Sequence, residues 1–257
     1  MALAPCFVSF AAIVFISSFI TSLLLPSAYP LDLNATILPI FHVDLLEFSL
    51  NLEYLEADFF FITNGVILQF GYQEVGHIKE IKNVVRGFPM PQLDLSASTF
   101  AKVIDQAIDS PLQPPFNPYA NNVSFLIAAY LIPYLFSITS KKLVTGLLGI
   151  ESGQDVVIRA LLYPLRLAKV PPYDIDVDEV TRRISSLRNT LGRAGSKDES
   201  LTVPVNEGGE GRVQGNVLAG DQFSVAYNRT PEEILKIVYG SGNESIPGGP
   251  HLPNGYH

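Results

Sequence analysis

Glu74 and His77 stand one helical turn apart in Tyr72-Gln-Glu-Val-Gly-His77. That spacing lets a carboxylate and an imidazole reach one metal ion from the same side of a helix. At roughly 100° per residue they share an arc with Val66, Ile67, Phe70, Ile78, Ile81 and Val84, while Lys79, Glu80 and Asn83 fill the opposite side. Two polar groups in an apolar stripe need partners, because burying either alone is costly.

Two other segments offer partners. A helix is predicted over Leu38 to Ile62, with Phe41, Leu45, Phe48, Leu52, Leu55 and Phe59 as its stripe and Asp44, Glu47, Asn51 and Asp58 on a surface face. Glu53 and Glu56 fall beside the stripe, at the edge of the core. A further helix is predicted from about Lys141 to Leu162, its apolar arc carried by Leu143, Val144, Leu147, Ile150, Ile158 and Leu161. It places Glu151 and Gln154 in that arc, with Asp155 at the border. Three helices that each bring a polar pair at i, i+3 spacing into an apolar face point to one shared polar site.

Ferritin-like carboxylate proteins build a two-metal centre from one Glu on each of two helices and a Glu-x-x-His pair on each of the other two. Here Glu53 or Glu56 matches a single-Glu helix, and Glu74 with His77 matches one pair. The fourth helix reads Glu151-Ser-Gly-Gln154, with glutamine where the second histidine belongs, and the candidate third helix, Val123 to Thr139, has no Asp or Glu and carries Pro133 near its middle. The runs Glu47-Phe-Ser-Leu-Asn-Leu-Glu-Tyr-Leu-Glu56, Phe70-Gly-Tyr-Gln-Glu-Val-Gly-His77, Pro114-Pro-Phe-Asn-Pro-Tyr-Ala120, Gly149-Ile-Glu-Ser-Gly-Gln-Asp155 and Thr230-Pro-Glu-Glu-Ile-Leu-Lys-Ile-Val-Tyr-Gly240 resemble the plant desiccation-related proteins with a ferritin-like domain. The resemblance implies a secreted, stress-associated helical bundle and no defined reaction. Two departures stand out. Phe61-Ile-Thr-Asn-Gly65 links the first two bundle helices almost directly, and Leu135 to Ser140 is similarly short, where the family leads one to expect longer connections.

The expected architecture is all-α: a ferritin-like four-helix bundle over residues 31–170, a C-terminal helical extension over 171–240 and a flexible tail over 241–257. A chain of 257 residues, 47% hydrophobic, can bury a large core and is no disordered hydrophilic protectant. Its net charge of −8 and pI near 5.0 exclude a nucleic-acid binder, which needs a basic surface. Residues 1–30 read as an export signal, with an apolar run from Phe7 to Leu25 followed by Pro26-Ser-Ala-Tyr-Pro30. The same run is long enough to span a bilayer, so an uncleaved segment would act as a membrane tether. Sequons at Asn34, Asn122, Asn228 and Asn243 fit glycosylation of a secreted chain. The single cysteine, Cys6, lies inside the signal, which leaves a mature form without disulfides or thiolate ligands.

Elsewhere a helix is expected over Ser98 to Ile108, ended by the proline-dense Ser110 to Pro118. Capping boxes Asp176/Glu179 and Thr230/Glu233 mark helices to about Leu191 and Tyr239, and Lys197 to Gly220 reads as loop. His42 reads as a surface or capping residue. The favoured function is a secreted, desiccation-associated bundle without a working two-metal catalytic centre, acting as a structural or binding component. The alternative is a metal-binding oxidase or iron-handling protein that uses the half site Glu53, Glu56, Glu74, His77, Glu151 and Gln154 to hold iron or manganese. No partner is specified by the sequence.

Overall fold

The computed structural model describes residues 40–63, 65–132, 141–197 and 199–246. All belong to the unit Pro39–His257. The export segment, the Asn34 sequon, Pro133 and the tail beyond residue 246 lie outside the described residues, as do the side chains of Phe41, His42, Leu45 and Val144.

Seven α-helices are described: α1 (Ile40–Phe60), α2 (Gly65–Val84), α3 (Ala97–Ile108), α4 (Asn122–Leu131), α5 (Lys141–Leu162), α6 (Val177–Gly192) and α7 (Pro231–Val238). The described residues contain no β-strand, only two isolated bridges. The class is all-α, and the helices pack as a bundle. The short link after α1 is a hairpin turn in which Gly65 takes φ +67, and α1 packs along α2. On the other side α4 packs on α5, and α5 touches α2. Phe59 of α1 stacks on Phe125 of α4, with ring centroids 4.6 Å apart and planes 3° from parallel. Around that stack Phe60, Phe100, Ile127, Tyr130, Ile158 and Leu162 close the core.

The caps follow the sequence. Asn121 Oδ1 accepts from Ser124 N at 2.9 Å to start α4, and Asp176 Oδ1 accepts from Glu179 N at 2.9 Å to start α6. Thr230 Oγ1 accepts from Glu233 N at 3.2 Å, with Pro231 at the first position of α7. The carboxylates expected to complete these boxes turn elsewhere. Glu179 pairs with Arg182 and Arg183, and Glu233 pairs with Lys197 and Arg229. Charge-assisted bonds to cations outcompete one backbone amide. Helix α4 stops at Leu131, with Ile132 extended at ψ 119°, because the residue before a proline is pushed out of the helical region.

Three expectations from the helical wheel are corrected. Asn51, assigned to the surface of α1, is fully buried, and its Nδ2 donates to Phe48 O at 3.1 Å. Glu47 is no ordinary surface acid, since its Oε1 accepts from Gly87 N at 3.1 Å. Helix α1 is covered on a second side by α7, where Leu52 packs with Ile234 and Val238, so little of its middle faces water. Conversely, Val66, Val84, Ile150 and Leu161 are exposed, although they fall in the apolar arcs. None of the described helices is long and apolar enough to cross a membrane.

Candidate metal centre

The inward faces of α1, α2 and α5 bring Glu53, Glu74, His77 and Glu151 together, each offering one ligand atom within 4.8 Å of the others. All four are buried, His77 the least so at 8% exposure. His77 Nδ1 is the hub: Glu74 Oε2 lies 3.0 Å away, Glu53 Oε2 3.1 Å and Glu151 Oε1 3.1 Å. One ring nitrogen carries at most one proton and can donate along one direction. Three carboxylates therefore share a single donor. Glu53 Oε1, Glu151 Oε2 and Gln154 Oε1 are buried without a hydrogen-bond donor, and Glu151 Oε1 has only the contested and misaligned His77 Nδ1.

Such a donor deficit is expensive in a metal-free core, where each unsatisfied buried polar atom costs about 1–3 kcal/mol. The electrostatics show how the bundle answers it. Burial drives Glu53 and Glu56 far above the ordinary carboxylate range, and neighbouring glutamates push both further the same way. Burial likewise lifts Glu151 to about 7, against the pull of His77. For Glu74, burial is outweighed by hydrogen bonds from His77, Glu53 and Gln154, so it stays ionised below the usual range. For His77, burial is outweighed by Glu151, Glu53 and Glu74, which raise it to about 12. Protons do the work of a cation. Three carboxylates and one imidazole with orphaned oxygens are a donor set that fits a metal ion.

Of the remaining sequence candidates, Glu56 is buried on α1 but stands outside the four-residue cluster. Gln154 is beside the cluster but presents nitrogen where an oxygen ligand was expected: its Nε2 donates to Glu74 Oε1 at 2.5 Å and to Gln73 Oε1 at 3.1 Å. The sequons Asn122, Asn228 and Asn243 are exposed.

Sequence reasoning missed the other side of α5. Arg159 is buried there and its Nε donates to both oxygens of Asp155 at 2.9 and 2.8 Å, while Nη1 donates to Ser200 O and Asn216 O. Its guanidinium lies over the Tyr130 ring, 5.0 Å from the centroid. A signal existed in the i, i+4 spacing of Asp155 and Arg159 on an otherwise apolar face. Beside this network a cavity of about 1380 Å³ separates α5 from the irregular segment Val205–Arg229, and Glu151, Asp155 and Arg159 are among its walls. Glu151 thus belongs both to the cluster and to the cavity lining.

A family model described as the ferritin-like domain matches residues 61–164, a span that holds Glu74, His77, Glu151 and Gln154 and begins just after Glu53 and Glu56. A ferritin-like catalase, Nec2, from Nesocodon mauritianus is 40% identical over 275 residues, covering 90% of this chain and 88% of its own. That aligned stretch exceeds the 257 residues present here, so this chain lacks residues the relative has. The desiccation-related protein PCC13-62 from Craterostigma plantagineum is 46% identical over 238 residues, 75% of this chain and 76% of its own. No solved structure matches.

Proposed function

Because the chain belongs to the family of desiccation-related proteins with a ferritin-like domain, we propose that it is a metal-binding member, holding iron or manganese among Glu53, Glu74, His77 and Glu151 and acting on a small oxygen species. The observation that carries the reading is the donor deficit: three buried carboxylates compete for one imidazole N–H, and Glu53 Oε1 and Glu151 Oε2 have no donor at all. A purely structural network would be expected to satisfy its buried acceptors. A relative that shares most of the chain is named a catalase, which makes hydrogen peroxide the first reactant to test.

A bound iron or manganese ion supplies one-electron redox chemistry toward oxygen and peroxide. The chain supplies the rest. Glu53, Glu74 and Glu151 provide negative charge from three helices, so the site is held rigidly by the bundle. Glu56, also buried on α1, is pushed well above the ordinary carboxylate range by burial and by Glu151, Glu74 and Glu53. The cavity that reaches Glu151 offers a small molecule a way in.

The test is metal analysis by mass spectrometry on protein secreted from a eukaryotic host, beside a Glu74→Ala/His77→Ala variant, followed by peroxide consumption. Iron or manganese in the wild type that disappears in the variant is expected. No metal in either protein refutes the reading.

A second reading, a stress-associated structural component without catalysis, is favoured by the amide nitrogen of Gln154 on Glu74 and by an α4 free of Asp, Glu and His among its described residues. It predicts metal-free protein. We propose that either role is played outside the cell, a reading supported by the apolar run Phe7–Leu25 near the start of the chain and by the sequons at Asn34 and at the exposed Asn122, Asn228 and Asn243. N-terminal sequencing and glycosidase treatment of the secreted chain check this. An intact Phe7–Leu25 segment on membranes would replace secretion with tethering.

A further inference from the structure

We propose that Gln154 confines the centre to a single cation by standing where a second one would bind. The inference rests on the metal-binding reading and specifies how many ions the site takes. Gln154 lies on α5 one turn after Glu151 and is buried at 2% exposure. Two oxygens from α2 fix the orientation of its amide: Nε2 is 2.5 Å from Glu74 Oε1 and 3.1 Å from Gln73 Oε1. Turning the amide over would set its oxygen against the oxygens of both residues at hydrogen-bond distance, in place of an N–H shared between them. The nitrogen therefore faces Glu74, and an amide NH₂ has no lone pair free to ligate a metal.

Glu74 is divided by this contact. Its Oε2 faces His77 and the Glu53–Glu151 cluster, while its Oε1 accepts an N–H from Gln154. A bridging role for Glu74 would need Oε1 free for a second ion, and that ion would meet the positive ends of the amide dipoles. Among the described residues Asn122–Leu131 offers a second ion nothing, since it carries no Asp, Glu or His and its Ile127, Ala128 and Ala129 are fully buried, which leaves position 154, beside the buried Glu56, to decide whether a second ion is held. The amide thus takes over the neutralising part of the absent cation and holds Glu74 aimed at the one that remains. Gln154 is a positioning residue that acts through Glu74.

The full chain is depleted of metal, reloaded with Mn²⁺, and examined for manganese per chain and by electron paramagnetic resonance. Wild type is expected to take one Mn²⁺ per chain with the spectrum of an isolated ion. Gln154→His, and Gln154→Glu should the histidine variant fail to fold by circular dichroism, is expected to rise towards two ions with an exchange-coupled spectrum. Gln154→Leu is expected to hold one ion roughly 10- to 100-fold more weakly, the usual loss when a supporting hydrogen bond to a ligand is removed. Two coupled ions in wild type would overturn the inference, as would histidine and glutamate variants that stay at one, or a leucine variant with unchanged affinity. A folded wild type that takes no manganese overturns the metal reading itself, and this inference with it.

Discussion

Replacing Glu151 with glutamine separates a metal site from a structural polar network, because the two assign opposite signs to the same change. Burial raises Glu151 from 4.5 to about 7 in the folded metal-free chain. A folded value above the unfolded one means that its stabilising contribution is complete below pH 4.5 and is lost as pH rises through about 7. At pH 8 the fold must therefore carry an ionised, donor-poor carboxylate, and the displacement from 4.5 to about 7 corresponds to about 3 kcal/mol at that residue. Glutamine has the same shape, carries no charge and brings two N–H donors towards the orphaned Glu53 Oε1. Metal-free Glu151→Gln is thus expected to be more stable than wild type at pH 8 by up to about 3 kcal/mol, a rise of roughly 6–12 °C in Tm for a domain of this size. The advantage should shrink towards zero at pH 4.5. With saturating Mn²⁺ the order should reverse, since only wild type gains binding energy from the third carboxylate. Thermal melts at pH 5 and pH 8, in EDTA and in manganese, give all four values. A variant that is less stable than wild type in EDTA at pH 8, with no reversal in manganese, would refute the reasoning and leave Glu151 a structural residue.

Three further predictions concern the frame around the centre. Phe59→Ala removes a fully buried ring stacked on Phe125 and should cost about 3–5 kcal/mol in urea unfolding; a loss under about 1 kcal/mol would mean the stack is not central to the core. Arg159→Met takes the partner from half-buried Asp155 and a donor from the Ser200 and Asn216 carbonyls, so it should cost about 1–3 kcal/mol and speed proteolysis within residues 200–216; an unchanged cleavage rate would argue against the network as the anchor of that segment. Asp176→Ala deletes the cap on Glu179 N and should cost about 1 kcal/mol, with the cavity wall untouched; metal content, as a control, should not change.

Much of this arrangement is written in local pattern. Apolar residues recurring at helical period set α1, α2 and α5 and turned Glu53, Glu74, His77, Glu151 and Gln154 inward, because side-chain direction in a helix follows residue number alone. The starts of α6 and α7 were legible for the same reason: Asp176 and Thr230 bond amides three residues away. The end of α4 is predicted too late: the apolar pattern runs the helix through Pro133 to Thr139, whereas it stops at Leu131, because the residue before a proline is pushed out of the helical region.

Other features depended on partners distant in sequence. Leu52 is covered by Ile234 and Val238 of α7, nearly two hundred residues later, and no wheel drawn on α1 alone contains that information. Gln154 was an oxygen ligand by analogy with a pair on one helix, yet its amide is turned by Glu74 and Gln73, the latter 81 residues earlier. Arg159 became a buried anchor only because the segment around Ser200 and Asn216 folds back onto α5 and presents carbonyls to it. The sequence alone determined which residues face inward, through helical geometry. Which of them meet, and which atom of each is offered, was decided by packing, because hydrogen-bond direction and burial depend on every element that closes around a site.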